Sequence, residues 1–165
     1  MKNNSLEKQL ADYQKRVEKY LQKGSIEQKR CHSEHNTTIK FIIPLLKILG
    51  WYPESKFMEF EYTVKGREIK RPKRVDIVLY TQDSEKPKIL VEIKRIQDEL
   101  GTGRQLLRYL HATGIKYGIY TNGREIRLLD NRTPTKYIPE GLFIIKVEDF
   151  IKYKDVLAVF SKNSI

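Results

Sequence analysis

The segments VDIVLY (residues 75–80) and ILVEIK (residues 89–94) decide the fold of this chain. Both are short, apolar and rich in β-branched residues, which is the composition of strands buried in a sheet. The polar segment 82–88 between them contains a proline and is typical of a loop. We therefore predict two core strands joined by a loop.

Three charged residues interrupt these apolar strands: Asp76 in the first, and Glu92 and Lys94 in the second. Because side chains alternate across a strand, Glu92 and Lys94 project from the same face. A carboxylate in such a position is costly unless it binds a cation or is otherwise paired. If the strands are neighbours, Asp76 and Glu92 can converge on Mg²⁺, for which Mn²⁺ could substitute. The alternative is a structural salt bridge that joins Asp76 to Arg74 or Lys94 on a more open face.

The Glu-x-Lys triplet has no weight by itself in so charged a chain. It occurs four times, beginning at Glu27, Glu54, Glu68 and Glu92. The first three copies lie in charged surroundings, where a solvated face explains them. Only the copy at Glu92 lies on an apolar strand, and its position there favours a chemical role.

The N-terminal segment has the periodicity of an amphipathic helix, with apolar residues every three or four positions. These residues are Leu6, Leu10, Tyr13, Val17 and Tyr20. The stripe either packs on the chain's own domain or closes a dimer as a short coiled coil. We assign residues 1–24 to this helix and residues 25–165 to one compact domain.

Further elements follow on both sides of the two core strands. A second helix ends at Gly50 and contains Pro44, which should kink it; its apolar side consists of Ile39, Ile42, Ile43, Leu46 and Leu49. Asn122-Gly123 is the strongest hairpin signal in the chain. The other predicted elements are a hairpin of residues 57–64 with a return strand that starts at 67–70, a helix through Leu110 that follows Gly101 and Gly103, strands at 117–121, 125–129 and 142–147, and a helix over about 148–160. This pattern predicts an α/β fold with a central mixed sheet of four to five strands between helices.

Composition favours a polyanionic partner. Lys and Arg number 32 against 21 Asp and Glu, which gives a net charge of +11. Nucleic acid is favoured over a membrane surface, since no stretch is apolar enough to span a bilayer and no signal peptide opens the chain.

The single Cys31 excludes an internal disulfide and a cysteine zinc cluster, so an intracellular location is expected. No metal-ligand spacing involves the histidines, His32, His35 and His111.

Asp76 followed by Glu92-Ile93-Lys94 resembles the PD-(D/E)xK nuclease superfamily, although Val75 replaces the customary proline. The likeness covers about residues 33–130 and extends to the N-terminal nuclease domain of type I restriction enzyme R subunits. Ser33-Glu34, the apolar run 41–46 and Leu49-Gly50-Trp51 resemble that domain. The resemblance implies a restriction-endonuclease-like core and an acidic residue on the first core helix, for which Glu34 is the candidate. The plain alternative is a Glu near the positive end of a helix dipole.

Gln105 and Tyr109 match the Gln-x-x-x-Tyr motif that R-subunit nuclease domains share with RecB-like nucleases. They lie one helical turn apart, so both could face an active centre or a DNA backbone. Arg104 and Arg108 have the same spacing and could contact phosphates. The alternative is an ordinary amphipathic surface.

The expected function is Mg²⁺-dependent DNA endonuclease activity. Asp76 and Glu92 are the expected metal ligands, with the Ile93 carbonyl as a third, and Lys94 should orient the attacking water or stabilise developing charge. The expected DNA-binding residues are Lys70, Arg71, Lys73, Arg74, Arg95, Arg104 and Arg108, and the run from Lys70 to Arg74 reads as a loop because it contains Pro72. The alternatives are an exonuclease or junction resolvase of the same superfamily, or a DNA-binding module without catalysis. Such a chain could act alone, as a homodimer or higher homo-oligomer, or with a separate partner.

Overall fold

The structure is a computed structural model that describes residues 2–22, 33–65, 69, 71–82, 84–132 and 143–164. Cys31, His32 and Lys70 lie outside these ranges, as does most of the predicted strand 67–70. Within the described ranges, no helix is both long and apolar enough to cross a membrane.

The centre of the fold is one mixed sheet whose strands follow each other in chain order. The strands are β1 (Met58–Val64), β2 (Lys73–Leu79), β3 (Ile89–Ile93), β4 (Tyr117–Thr121), β5 (Glu125–Asp130) and β6 (Phe143–Lys146). The α/β class is confirmed, but the expected four to five strands were too few because the sheet has six. Much of the surface of the edge strands β1 and β6 is exposed, and each pairs with one neighbour; within β1, Glu61 has no partner in the register.

The predicted start of the return strand, residues 67–70, lies mostly outside the described residues. β1 pairs antiparallel with β2, so its partner is the strand that carries Asp76. Lys73 and Arg74, expected in a loop, form the beginning of β2. Pro72 stands just before the strand, where its missing N–H removes no ladder hydrogen bond.

β3 and β4 are the parallel pair, and α4 (Arg104–Thr113) connects them. A parallel pair needs such a crossover, and this helix covers one face of the sheet. Gly118 permits the close approach, because a Cβ atom there would lie 3.0 Å from Cδ1 of Leu110 and 3.1 Å from Cδ2 of Leu106.

The opposite face of the sheet is covered by α1 (Lys2–Leu21), α2 (Glu34–Thr37), α3 (Ile43–Ile48) and α5 (Lys154–Val159). The predicted apolar stripe of α1 lies in this chain's own core, where Leu10, Tyr13, Val17 and Tyr20 are buried. The predicted C-terminal helix was too long: a 3₁₀ turn (Val147–Asp149) and further turns precede α5.

The predicted kink at Pro44 takes the form of a π-helical segment, Thr38–Ile42, between α2 and α3. Ile43 donates its N–H to the Thr38 carbonyl five residues earlier, which accommodates a proline that has no N–H of its own. The extra residue changes which side chains face the core. Ile39, expected on the apolar side, is 51% exposed, whereas Phe41 and Leu45 are buried.

β1 is irregular at Glu61, termed the bend: its backbone has φ +54°, and it has no partner in the β1–β2 register. This left-handed conformation is unfavourable for any residue with a Cβ atom. Before the bend, Met58 packs beneath α1 and α3; beyond it, Val64 and Val75 pack with α4 on the other face of the sheet. The bend therefore brings the far end of the hairpin to α4.

Candidate active site

Asp76 and Glu92 lie on β2 and β3, which are neighbours in the sheet, so the condition for their convergence is met. Ladder pairing of the two strands runs from Leu79↔Ile89 to Ile77↔Val91. Immediately beyond it, the Asp76 Oδ2 atom accepts a 2.6 Å hydrogen bond from the Ile93 N–H. The side chain of Asp76 thus replaces a backbone acceptor where the strands diverge, and its carboxylate is fixed next to β3.

Both carboxylates are poorly solvated. Glu92 is only 8% exposed, and Asp76 is half-buried. Burial raises the pKa of Glu92, and the nearby Asp76 raises it further, while Lys94 lowers it. Burial also raises the pKa of Asp76; the hydrogen bond from Ile93 opposes this shift and Glu34 adds to it. Two acids that hinder each other's ionisation form a site that favours a cation between them.

Lys94 lies between two acids. Its Nζ atom is 3.2 Å from Oε1 of Glu92 and 3.7 Å from Oε1 of Glu34. Burial lowers the pKa of Lys94, but Glu92 and Glu34 raise it by more, so the net shift is upward. The amine is therefore held in its charged form.

Glu34 reaches this site because α2 is docked against the segment after β3. Ser33 caps α2 by accepting the Asn36 N–H, and the buried Thr37 hydroxyl accepts the Ile96 N–H at 3.0 Å. The sequence indicated Glu34 only through the resemblance. Thr37, which joins α2 to the segment after β3, gave no signal of its own.

One carboxylate oxygen of Glu92 lacks a hydrogen-bond partner among the described residues. Lys94 contacts Oε1, whereas Oε2 is buried and has no hydrogen-bond partner among the described residues. An unsatisfied buried carboxylate oxygen is unfavourable, and a divalent cation would satisfy it. No group of three His, Cys, Asp or Glu side chains that could hold a metal occurs in the part of the chain that the structure describes. The donor set fits Mg²⁺, which is commonly held by one or two carboxylates and keeps several waters.

Gln105 and Tyr109 stand beside this centre on α4. The Gln105 amide donates a 2.8 Å hydrogen bond to the Tyr109 hydroxyl. Burial raises the pKa of Tyr109, the Gln105 hydrogen bond lowers it, and Glu92 and Lys94 shift it in opposite directions, Glu92 upward and Lys94 downward. The pair connects the centre to the outer surface of α4.

Tyr120 is a site residue that the sequence reasoning did not single out. It pairs with Glu92 in the β3–β4 register, and it lines a cavity of about 190 Å³ together with Glu92, Lys94, Gly103 and Gln105. The cross-strand position beside Glu92 could have revealed it, but only once the order of the strands was known.

The predicted DNA-binding residues fall into two groups. Four of them line one cavity of about 660 Å³: Arg71, Lys73, Arg104 and Arg108. The other two described residues have acidic partners, since Arg74 bonds Glu61 at 2.9 Å and Arg95 bonds Asp98 at 3.0 Å.

A mixed sheet between two helical layers, with acids meeting where two strands diverge, defines this chain as a domain of the restriction-endonuclease-like class. The sequence profile of one family, described as the N terminus of the type I restriction enzyme R protein (HSDR_N), matches residues 37–141. The chain belongs to that family.

Two solved structures resemble the fold. A fragment described as an HsdR subunit of a type I restriction enzyme from Vibrio vulnificus YJ016 matches with a TM-score of 0.51 and 26% identity over 76% of this chain. The chain spans 26% of that fragment's length. The DrdV–DNA complex, solved by cryo-electron microscopy, matches with a TM-score of 0.58 and 15% identity over 93% of this chain and 96% of that one; this second likeness shows the fold alone. No curated protein shows significant sequence similarity.

Proposed function

We propose that this chain is a Mg²⁺-dependent DNA endonuclease of the PD-(D/E)xK type. The observation that carries the proposal is the buried Oε2 atom of Glu92, which has no partner among the described residues and lies beside Asp76 and the charged Lys94. A purely structural salt bridge would be expected to leave neither buried oxygen of this carboxylate without a partner. In a metal site, the oxygen that Lys94 does not contact remains available to the ion.

Asp76 and Glu92 would hold the divalent cation, with the Ile93 carbonyl as a further ligand. When bound, a divalent cation supplies Lewis-acid activation of water and neutralises charge on the scissile phosphate. The Asp76 carboxylate is held in place by the Ile93 N–H, and this bond fixes the spacing of the two ligands. Mn²⁺ has similar ligand preferences and would substitute.

Lys94 acts as a cation rather than as a general base. Its pKa is raised by Glu92 and Glu34 despite partial burial, so a neutral amine is disfavoured at neutral pH. A fixed ammonium can orient the attacking water by donating a hydrogen bond to a lone pair of the water oxygen, and it can stabilise charge that develops on the phosphate. Glu34 positions this ammonium from the side opposite Glu92.

Backbone phosphates would be bound by the basic residues around the centre. The net charge of +11 favours association with DNA, and DrdV, which shares the fold, was solved as a DNA complex. Arg71, Lys73, Arg104 and Arg108 converge on one cavity. Such contacts release counterions, so affinity should fall steeply with salt.

The test is cleavage of supercoiled, linear and four-way-junction DNA with Mg²⁺, Mn²⁺ or EDTA. We expect cleavage with either metal and none in EDTA; Asp76→Ala should abolish it, and Lys94→Ala should reduce it strongly. Asp12→Ala is the matched control, since it removes an exposed carboxylate from α1 on the other face of the sheet. The three substrates separate an endonuclease from an exonuclease and a junction resolvase. Tight DNA binding without metal-dependent cleavage would instead identify a non-catalytic DNA-binding module.

A further inference from the structure

A basic cavity lies between the bent hairpin and α4. Ile69, Arg71 and Lys73 form its hairpin wall, and Arg104, Gln105, Arg108 and Tyr109 form its helix wall. Among the described residues, the lining contains four cationic side chains and no Asp or Glu. This composition fits an anionic ligand.

The volume of this cavity bears on which form of nucleic acid it binds. Its volume of about 660 Å³ lies in the range of pockets that enclose small organic ligands, roughly 300–1,000 Å³. One or two nucleotides of a single strand can enter a depression of this size. A duplex presents its phosphates on a broad convex surface and would contact only the rim.

The position of the cavity connects it to the catalytic centre. Arg104 and Gln105 line both this cavity and the smaller one that contains Glu92 and Lys94. The helical spacing of Arg104 and Arg108 places both cations along the same wall. A strand that occupies the large cavity would therefore continue past Gln105 into the catalytic cavity.

We infer that this cavity, termed the strand cavity, binds an unpaired segment of a DNA strand next to the scissile phosphate. The cations contact its phosphates, and Ile69 and the edge of Tyr109 provide apolar contact for a sugar or base. Positively charged grooves that follow one backbone are the common solution for binding single strands. The inference rests on the proposed nuclease function and specifies its substrate as DNA with an unpaired segment.

The test measures binding in EDTA, so that no cleavage is needed. Fluorescence anisotropy compares a labelled single-stranded oligonucleotide with a blunt duplex of the same sequence, for the wild type and for the double variant Arg104→Ala/Arg108→Ala. Lys15→Ala is the control, because Lys15 is an exposed cation on α1, across the sheet. Inorganic phosphate and a deoxynucleoside monophosphate serve as competitors.

We expect the wild type to bind the single strand more tightly than the duplex. The double variant should weaken single-strand binding by roughly tenfold and reduce the slope of log K against log salt by about 0.7 for each lost phosphate contact. Lys15→Ala should change neither quantity by as much. Equal or tighter binding of the blunt duplex by the wild type would overturn the inference, as would equal weakening of both probes. Displacement by the small anions at matched phosphate concentration would also overturn it.

The outcome is separable from that of the proposed function. Cleavage of DNA with no preference for the single strand would overturn the strand cavity and leave the nuclease function standing. Selective single-strand binding that depends on Arg104 and Arg108, without cleavage in Mg²⁺, would support the cavity and overturn the nuclease function.

Discussion

The Ile93 N–H donates a 2.6 Å hydrogen bond to Oδ2 of Asp76, and this bond joins the two strands that carry the acidic residues. It lies where the β2–β3 ladder ends, so a side chain satisfies a backbone donor that no strand pairing reaches. Asp76 therefore has a structural task in addition to its proposed role as a metal ligand.

This double task predicts that two substitutions of Asp76 differ in stability but not in activity. Asp76→Asn keeps an oxygen that can accept the Ile93 N–H, whereas Asp76→Ala leaves that donor without a partner, at a cost of about 1–3 kcal/mol. Both should lose metal-dependent cleavage. The measurement is urea denaturation in EDTA beside a cleavage assay. Equal stability of the two variants would show that the hydrogen bond contributes little.

The raised pKa values of Asp76 and Glu92 predict how stability depends on pH without metal. Unfolded carboxyl groups titrate at about pH 4. Between that pH and the raised native values, the native state binds more protons than the unfolded state. The contribution of Asp76 and Glu92 to the free energy of unfolding therefore falls as pH rises through this window and levels off above it. Glu92→Gln should remove part of this decline. The difference between the wild-type and variant free energies of unfolding, measured across this pH range, gives the contribution of Glu92.

Mg²⁺ should reverse this effect, because a cation favours the ionised carboxylates. We expect Mg²⁺ to raise the Tm of the wild type near neutral pH, more than it does at pH 5, and to leave Glu92→Gln nearly unchanged. Thermal unfolding with Mg²⁺ or EDTA checks this. A Tm of the wild type that does not respond to Mg²⁺ would contradict the metal site.

The Lys94–Glu34 contact predicts graded losses of activity. Glu34 is half exposed and 3.7 Å from Nζ, so its pairing is weak, and Glu34→Gln should lower the cleavage rate by roughly tenfold or less. Lys94→Ala removes the cation itself and should lower the rate by about 10²–10³. Single-turnover cleavage with saturating enzyme separates these effects from binding. A larger loss for Glu34→Gln than for Lys94→Ala would mean that Glu34 has a direct role in the chemistry.

The bend at Glu61 predicts opposite effects of glycine at two positions of one strand. At Glu61, with φ +54°, Gly should be more stable than Ala by about 1 kcal/mol, because Gly adopts this conformation without strain. At the neighbouring Glu59, an exposed β1 residue with ordinary φ, Gly should be less stable than Ala by about 0.5–1 kcal/mol. Chemical denaturation of the four variants provides the comparison. If the Gly variant were less stable than the Ala variant at Glu61 as well as at Glu59, the bend would store no strain.

The sequence predicts the centre of this site better than its surroundings, and the reason is physical. Asp76, Glu92 and Lys94 were recognisable because a charge on an apolar strand conflicts with its neighbours. The bend at Glu61 could not be predicted, because a glutamate gives no signal of positive φ. Since that bend brings Arg71 and Lys73 to the helix that carries Arg104 and Arg108, their shared cavity was also beyond prediction. The π-helical segment likewise shifted which residues face the core, and Ile39 was misassigned as a result.

The Gln105–Tyr109 hydrogen bond predicts that the two residues act as one unit. Tyr109→Phe removes the hydroxyl that accepts the Gln105 amide, and Gln105→Ala removes the donor. If the pair positions the centre through this bond, each variant should lower the cleavage rate by a similar factor, roughly tenfold. The double variant should then be no slower than either single one, because coupled residues are not additive. Losses that multiply in the double variant would show that Gln105 and Tyr109 contribute separately, for example through independent contacts with DNA.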